Sequence, residues 1–563
     1  MRAKLQQAIS DSVHHEFGID IGVELDRPAA EFGDFTTNIA MQLIGKLERK
    51  PDGGPRKIAE QIAKNLQSLD YVASVDVAGP GFLNITLTDN ALLKLMAQKP
   101  LRTLKNQKVL VEYSDPNPFK PLHAGHLYTT LVGDAISRLV ENAGAETIRL
   151  NFGGDVGRHV GITMWAVIRE LEGEDVKKLK GLPKDSLATW MGQRYVEGTR
   201  AYEDDEQAKR HIREVNKRVY ALHESGDCES AFAQIYWYLR SASYDFFKKL
   251  YSELEVHEFN RFIPESEVAA PGLIAVKDNI PEVFQESDGA VVFDGESRGL
   301  HTRVFINNEG LPTYEAKDIG LSLTKWRDYQ PDKSIILTDN SQAQYMQVVI
   351  AAIGEIEPQA AKVTKHLTHG VVKLAGGVKM SSRKGNILSA FDILESAREA
   401  GARSGQASGE EVVLAAVKYA FMKNRIGGDI VYDPEESIAL EGNSGPYLQY
   451  AHARACSILR KADYAENDNG NESVSSNLNP AERLLVRKLG MFAEAIELAT
   501  LELSPHIVCT YLYELAQEFN RFYEQTKVIG SDEESFRLHL VNAYASTLKR
   551  GLELLGIHAP KQM

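Results

Sequence analysis

Two histidines three residues apart, His123 and His126, are the first side chains whose types and spacing indicate chemistry. They close the segment SDPNPFKPLHAGH, which follows a short apolar run, VLVEYS, and precedes a long amphipathic stretch. The segment is therefore predicted to lie between a strand and a helix, where α/β sheets bind nucleotides. Backbone N–H groups at the start of that helix would attract phosphate, and Gly125 would let a ligand come close. The imidazoles could then donate hydrogen bonds to phosphate oxygens.

A His-x-x-His pair also has simpler interpretations. The two rings could share one helix face without any function, because short motifs often occur by chance. Zinc binding is a third interpretation, although no further ligands gather near the pair in the sequence. The choice depends on what else the chain contains.

A second segment, GGVKMSSRKGN over residues 376–386, combines glycines, two hydroxyls and three cations. Such a loop suits a polyphosphate, because Lys379, Arg383 and Lys384 would offset the charge of a departing pyrophosphate. Taken alone, it could equally be a solvated basic loop. Both segments in one chain, in this order, favour nucleotide chemistry.

The two segments resemble the signatures of class I aminoacyl-tRNA synthetases: HAGH is similar to HIGH, and KMSSR to KMSKS. The resemblance implies an enzyme that activates an amino acid with ATP and Mg²⁺, releases pyrophosphate and transfers the amino acid to tRNA. The catalytic residues that it implies are Lys120, His123, His126, Lys379, Arg383 and Lys384. The ATP contacts that it implies are Pro121, Gly125, Met380, Ser381 and Ser382.

The surrounding sequence resembles the arginyl-tRNA synthetases within that class. The similar stretches are VEYSDPNPFKPLHAGHL, LPTYEAKDIG and the ending GLELLGIHAPKQM. A planar guanidinium with five donors needs carboxylate and carbonyl acceptors in a fixed arrangement, and Asp318 supplies a carboxylate. The family match implies that Glu112 and Asn117 hold the α-amino end of L-arginine. It also implies that Tyr314, Asp318 and Gln342 form the side-chain pocket; ordinary packing or a surface position is the alternative for Tyr314 and Gln342.

The chain departs from the family pattern at three positions. Ser382 replaces the second lysine of KMSKS, and Lys120 is correctly placed to compensate for it. Tyr345 stands where many relatives have His, and His159 where Gln is common. These last two differences concern the contacts with adenine and ribose.

The resemblance extends to both ends of the chain. EFGDFTTNIAMQL and AGPGFLNI are similar to the N-terminal domain of arginyl enzymes, which contacts the tRNA elbow. Residues 442–461 resemble the start of their helical anticodon-binding domain. There Tyr447 and Tyr450 could stack on unpaired bases, and Arg454 could hold phosphate. Burial between helices is the alternative for the two tyrosines.

The elements that must position these residues follow from the apolar pattern. Alternation from Tyr71 to Leu87 predicts strands around a Gly79-Pro80-Gly81 turn. Short apolar runs at Ile148–Phe152 and Ser334–Thr338 predict strands of the core, separated by a charged, helix-patterned insertion. Near the end of the chain, apolar stripes at helical spacing predict a bundle. Their members are Val508, Leu512, Leu515, Ala516, Phe519 and Tyr523, and Leu538, Val541, Ala545, Leu548, Leu552 and Leu555.

The predicted fold is therefore multidomain α/β, with a Rossmann-like parallel-sheet core. We expect an N-terminal α+β domain that contacts tRNA over residues 1–103, and a catalytic domain with helical insertions over residues 104–430. An all-α anticodon-binding domain should follow over residues 431–563. The polar, Asn- and Ser-rich stretch 465–480 should be a surface loop within it. The insertion around residues 170–230 has no functional interpretation from sequence.

Composition narrows the setting. A length of 563 residues exceeds what one hydrophobic core supports, so several domains are expected. A hydrophobic fraction of 43% without any membrane-length apolar run, and an N-terminus unlike a secretory signal, predict a cytoplasmic protein with no membrane partner. A net charge of −14 argues against nonspecific coating of nucleic acid. Three scattered cysteines predict reduced thiols and no zinc.

ATP with Mg²⁺, L-arginine and tRNA(Arg) are the partners that the resemblance implies, and family analogy suggests a monomer. The nearest alternative is another class I synthetase, such as a cysteinyl or glutaminyl enzyme. A cysteinyl enzyme would normally show a zinc pocket, and Asp318 favours a cationic substrate. The alternative from another functional class is a non-catalytic, synthetase-derived RNA-binding protein, against which the presence of both signatures argues.

Overall fold

The computed structural model describes residues 1–48, 50–375, 388–405, 409–464 and 477–563. The whole second signature segment, residues 376–386, lies outside the described residues. So does most of the stretch 465–480 that the sequence predicts as a loop. In the part of the chain that is described, no helix combines the length and the apolar character that a membrane span requires.

The N-terminal part packs helices against a small antiparallel sheet. The predicted turn at Gly79-Pro80-Gly81 joins two paired strands, and both glycines have positive φ. The pattern of buried residues in this part follows the alternation in the sequence, so the hairpin prediction is confirmed. The helices are α1 (Arg2–Phe17), α2 (Ile39–Leu43), α3 (Gly54–Leu66) and α4 (Asp89–Met96). The strands are β1 (Phe35–Thr37), β2 (Val72–Ala78) and β3 (Phe82–Leu87), in the order β1-β3-β2.

A parallel sheet forms the centre of the molecule. Its strands are β4 (Lys108–Glu112), β5 (Glu146–Gly153), β6 (Arg261–Pro264), β10 (Lys333–Asp339) and β11 (Thr364–His369). Between β6 and β10 the chain forms a small antiparallel sheet from β7 (Gln285–Ser287), β8 (Ala290–Phe293) and β9 (Arg303–Ile306). The helices that accompany the two sheets are α5 (Ala124–Asn142), α11 (Glu265–Asp278), α12 (Tyr314–Tyr329), α13 (Ala343–Ile356) and α14 (Pro358–Val363).

The order of the central strands determines where a ligand can bind. The order is β11-β10-β4-β5-β6, with every neighbouring pair parallel. From β4 the chain proceeds outward through β5 and β6, and it then returns to the other side of β4 through β10 and β11. Connections therefore diverge between β4 and β10, which leaves a crevice at the carboxyl ends of these two strands. The predicted Rossmann-like core is confirmed.

The insertion between β5 and β6 is helical and has its own hydrophobic core. Its helices are α6 (Arg158–Glu170), α7 (Val176–Lys180), α8 (Lys184–Asp204), α9 (Glu206–Ser225) and α10 (Ala231–Glu253). Phe119, next to the first signature, belongs to this core and stacks on Tyr236 with ring centroids 5.3 Å apart. The insertion is thus packed directly against the loop that carries the signature.

The C-terminal part is a helix bundle, as predicted. The two predicted apolar stripes fall on the last two helices of the chain, where the rings of Phe519 and Tyr544 stack with centroids 3.8 Å apart. The helices are α15 (Ala390–Ser404), α16 (Glu410–Met422), α17 (Pro434–Ile438), α18 (Gly445–Lys461), α19 (Pro480–Leu489), α20 (Phe492–Glu502), α21 (His506–Gln525) and α22 (Glu534–Leu554). A short parallel pair, β12 (Val372–Leu374) and β13 (Ile430–Tyr432), joins this part to the core.

Candidate active site

A cavity of about 650 Å³ opens at the carboxyl ends of β4 and β10, where the strand order predicts a ligand site. It is lined by residues from β4, the loop after it, α5, α12, the end of β10 and α13. Nine of the nineteen site residues predicted from the sequence are among them, including all five that the family match assigns to arginine. They are Glu112, Asn117, Lys120, His123, Gly125, His126, Tyr314, Asp318 and Gln342.

The loop that carries the first signature is held in an unusual backbone conformation. Ser114, Asp115 and Phe119 all have positive φ although none is glycine. Side chains of the loop bond to the end of β5: Asp115 accepts from the backbone N–H of Phe152 at 2.7 Å, and Asn117 accepts from that of Gly154 at 2.8 Å. These contacts hold the loop against the sheet and orient it into the cavity.

His123 is the N-cap residue of α5, and its main-chain N–H donates to Nδ1 of His126 at 3.3 Å. The two imidazoles stack with centroids 3.7 Å apart. Since Nδ1 of His126 accepts a hydrogen bond, the neutral ring carries its proton on Nε2. That N–H is the donor that His126 can offer to a ligand.

Both signature histidines are neutral near pH 7. Burial, followed by the neighbouring Lys120 ammonium, lowers the pKa of His123 to about 4. Burial, then His123 and Lys120, lowers the pKa of His126 well below its usual value. The two rings can therefore donate hydrogen bonds only in the neutral form, and the nearby positive charge is that of Lys120.

The start of α5 is bonded to the chain that follows the second signature. The backbone N–H of Ala124 donates to the carbonyl of Leu388 at 2.8 Å, and that of Ala390 donates to the carbonyl of Leu122 at 3.2 Å. Leu388 is the first described residue after the second signature. Main-chain hydrogen bonds thus join Leu388 and Ala390 to the backbone around the HAGH segment.

Acidic side chains occupy the deeper wall of the cavity. Asp318, on α12, accepts a hydrogen bond on Oδ2 from the hydroxyl of Tyr345 on α13. Withdrawal from water raises the pKa of Asp318 to about 7, against the effect of the Tyr345 hydrogen bond. Glu112 is buried and pairs with Lys325 at 2.8 Å. One oxygen of the Glu112 carboxylate is therefore already committed within the protein.

Sequence reasoning missed Glu265, which also lines the cavity. Glu265 is the first residue of α11, directly after the end of β6, and it forms a buried ion pair with Lys317. Lys317 in turn donates to the hydroxyl of Tyr220 in the insertion, at 3.0 Å. The position of Glu265 at the carboxyl end of a parallel strand could have identified it as a site residue. However, β6 has only four residues, too few to be recognised as a strand in the sequence.

Two glycines that contact backbone set the position of α12, and with it Asp318. A β-carbon added at Gly320 would lie 2.2 Å from the carbonyl oxygen of Val268, and one at Gly272 would lie 1.9 Å from that of Ala316. Helices α11 and α12 therefore touch main chain to main chain. Residues with side chains at these positions would force the helices apart.

Other predicted residues do not join the cavity wall. Pro121 is exposed and lies against Gly192 of the insertion. Tyr447 is half-buried between helices, where its hydroxyl accepts from Asn520 at 3.0 Å, whereas Tyr450 is exposed on α18. Arg454 lies over the ring of Tyr523 at 4.9 Å. The remaining predicted residues lie outside the described part of the chain: Lys379, Met380, Ser381, Ser382, Arg383 and Lys384.

A parallel sheet with a His-x-Gly-His helix start at its switch point, followed by a helical C-terminal bundle, defines a class I aminoacyl-tRNA synthetase. Family models agree along the chain. The arginyl tRNA synthetase N-terminal domain matches residues 1–87, the tRNA synthetases class I (R) catalytic domain residues 88–432, and the DALR anticodon binding domain residues 448–563.

Similar proteins narrow the class to one amino acid. Arginine–tRNA ligase of Cutibacterium acnes is 30% identical, with 100% of each chain covered, and that of Haemophilus ducreyi is 31% identical over 95% of this chain and 96% of its own. The solved arginyl-tRNA synthetase of Thermus thermophilus is 27% identical over 100% of both chains, with a TM-score of 0.79. The chain belongs to the arginyl-tRNA synthetase family. It attaches arginine to tRNA using ATP, and neither alternative function is favoured.

Proposed function

We propose that the cavity between β4 and β10 holds MgATP and arginine side by side, and that adenylate formation takes place there. The carrying observation is that one cavity contains both a neutral histidine pair with a nearby ammonium and a separate wall of carboxylates. Phosphate and guanidinium require these opposite environments. Their adjacency supports in-line attack of the arginine carboxylate on the α-phosphorus, with pyrophosphate leaving.

At the phosphate end, the proposed work is electrostatic. His126 donates from Nε2 and His123 from its ring N–H to oxygens of the α-phosphate, while Lys120 offsets the charge that develops. Gly125 lets the nucleotide approach the start of α5. Mg²⁺ enters with ATP as part of the substrate. Lys379, Arg383 and Lys384 are proposed to bind the departing pyrophosphate, with Met380, Ser381, Ser382 and Pro121 contacting ATP.

At the guanidinium end, Asp318 is the proposed principal acceptor, with Tyr314 and Gln342 at the mouth of the pocket. Glu265 is close enough for its charge to contribute to raising the pKa of Asp318, so we add it to the acceptors. Asn117 and the free oxygen of Glu112 are proposed to bind the α-amino group. The ion pair between Glu112 and Lys325 supports this role because it fixes the carboxylate.

For tRNA, we propose contacts from the exposed ring of Tyr450, with Tyr447 and Arg454 contributing from the same helix. We propose the same domain boundaries as before: an N-terminal domain over residues 1–103, a catalytic domain over 104–430 and an anticodon-binding domain over 431–563. We further propose that the enzyme is a cytoplasmic monomer, which sedimentation of the purified chain would test: a dimer at assay concentrations would contradict it.

Pyrophosphate exchange into ATP tests the proposed site. The assay uses each of the twenty amino acids, with and without transcribed tRNA(Arg), on the wild-type chain and on His126→Asn and Asp318→Asn. Of the twenty amino acids, we expect only arginine to support exchange. His126→Asn should lose nearly all exchange activity at saturating arginine, and Asp318→Asn should show a raised KM for arginine. Normal arginine KM in Asp318→Asn would overturn the pocket assignment.

A further inference from the structure

The hydroxyl of Tyr345 donates to Oδ2 of Asp318, although the two residues lie on different helices. Tyr345 is on α13, directly after the end of β10, and Asp318 is on α12. Both side chains line the cavity. The hydrogen bond therefore joins two helices at the wall where the substrate guanidinium is proposed to bind.

A second contact involves the face of the Tyr345 ring. The guanidinium carbon of Arg303, on β9, lies 5.6 Å from the centroid of the Tyr345 ring. Arg303 also pairs with Glu315 at 3.3 Å, one turn before Asp318 on the same helix. The four residues form a closed circuit that begins and ends on α12: Glu315, Arg303, Tyr345 and Asp318.

We propose that Tyr345 is a positioning residue for arginine recognition: its hydroxyl fixes Oδ2 of Asp318, so that Oδ1 faces the guanidinium, and Arg303 holds the ring in place. This inference rests on the proposed role of Asp318. A carboxylate with two acceptor oxygens can rotate, and a donor on one oxygen removes that freedom before the substrate arrives. Pre-organisation of this kind lowers KM for arginine rather than raising the rate of the chemical step.

The same hydrogen bond favours the ionised form of Asp318. Asp318 is faced by the carboxylates of Glu112 and Glu265, which disfavour its charge, and by the Lys325 ammonium and the Tyr345 hydroxyl, which favour it. Burial and the two carboxylates raise the pKa of Asp318, and the Tyr345 hydroxyl lowers it, so removing the hydroxyl should raise this pKa further. The carboxyl group should then protonate at higher pH, and a protonated Asp318 lacks the negative charge that strengthens a hydrogen bond from a guanidinium.

Tyr345→Phe tests the proposal, because it removes the hydroxyl and keeps the ring. We expect arginine KM to rise about tenfold at pH 7.5, the loss typical of a hydrogen bond to a charged group, with ATP KM changed less than about twofold. The acid limb of kcat/KM for arginine should move to higher pH. The ratio of kcat/KM for arginine to that for citrulline should fall, because a protonated Asp318 can donate to the carbonyl of the neutral ureido group of citrulline.

Tyr511→Phe is the matched control, since the Tyr511 hydroxyl is likewise buried and donates to the carbonyl of Lys488, at 2.9 Å. It should leave arginine KM and the pH profile unchanged. Arg303→Met provides a second variant if Tyr345→Phe does not fold, and we expect it to raise arginine KM severalfold. Wild-type arginine KM in Arg303→Met would then overturn the proposal.

Asp318→Asn distinguishes failure of the proposed arginine pocket from failure of the role proposed for Tyr345. Loss of arginine binding in Asp318→Asn, with wild-type arginine KM and pH profile in Tyr345→Phe, overturns the inference and leaves the proposed function intact. Normal arginine KM in Asp318→Asn overturns both. Impairment of both variants, with the acid limb displaced to higher pH in Tyr345→Phe and absent in Asp318→Asn, supports both.

Discussion

The chemistry of this site depends on side chains whose charge differs from their usual state. His123 and His126 are kept neutral by burial and by a nearby ammonium, and Asp318 is half-way to protonation near pH 7. A neutral imidazole can donate to phosphate without forming an ion pair that would have to be broken when the adenylate moves on. The carboxylate, by contrast, must be charged to hold a guanidinium.

At this scale, His126→Asn should lower single-turnover adenylate formation about a hundredfold, because the variant lacks the Nε2 donor. The Asn carbonyl can still accept from the main-chain N–H of His123, so α5 keeps its first turn and the melting temperature should stay within about 2 °C of wild type. Quench-flow with radiolabelled ATP measures the first quantity and calorimetry the second. Near-normal adenylate formation in His126→Asn would contradict the proposed role of His126 as a hydrogen-bond donor to the α-phosphate.

The raised pKa of Asp318 predicts a pH dependence in the wild-type enzyme. Because the role proposed for Asp318 depends on its negative charge, kcat/KM for arginine should fall as the pH drops below about 7. An ordinary aspartate would keep its charge down to about pH 4. Initial rates between pH 5.5 and 9 at subsaturating arginine and saturating ATP check this, and a flat profile from pH 6 upward would contradict it.

At the scale of elements, the position of α12 relative to α11 decides where Asp318 stands. Backbone contact at Gly272 and Gly320 leaves no room for even one methyl group. The start of α5 is similarly fixed by main-chain bonds to Leu388 and Ala390. The side chains of the proposed site are thus placed by contacts between elements, and between α11 and α12 two glycines permit the close approach.

Gly320→Ala should therefore cost stability and substrate affinity together. We expect a loss of about 1–3 kcal/mol from overpacking, and a higher arginine KM because α12 must shift. Gly354→Ala, on α13, is the matched control: its added methyl meets Ala361 at an ordinary 3.7 Å, so helix propensity should make it neutral or stabilising. Urea denaturation and arginine KM are the measurements, and equal behaviour of the two variants would refute the packing argument.

At the scale of the whole molecule, the two ends of the chain are joined to each other. Asp34, in the EFGDF segment, is buried and pairs with Arg483 at 2.7 Å. Arg27 pairs with Glu494 at 2.8 Å, and Arg487 donates to the carbonyl of Pro28 at 2.6 Å. The N-terminal part and the helical bundle are therefore connected through charged contacts, and Asp34 serves this connection from within a segment that resembles the tRNA-binding domain.

Asp34→Asn should weaken this connection, because it removes the buried carboxylate that pairs with both Arg483 and Arg487. We expect a loss of about 2–3 kcal/mol, less than for a fully enclosed pair since Arg483 is partly exposed. Glu60→Gln breaks the surface pair with Lys57 and should change stability by less than about 1 kcal/mol. Denaturant titrations of both variants test this, and equal midpoints would contradict it.

Sequence alone determined the local features. The strand–loop–helix at HAGH, the hairpin at Gly79-Pro80-Gly81 and the apolar stripes of the bundle were predictable, because each depends on residues close together in the chain. A family motif also drew attention to Asp318, whose role as guanidinium acceptor stays a prediction. Local patterns repeat at helix or strand period, and such periods are visible in one sequence.

Tertiary structure alone decided which side chains meet. The donor to Asp318 is 27 residues away, and the partner of Asp34 is 449 residues away, so no local pattern announces either pair. Glu265 enters the cavity only because β6 pairs beside β5, and Gly272 contacts α12 only because α11 packs against it. Hydrogen bonds and close packing depend on distance in space, which the sequence specifies only through the complete fold.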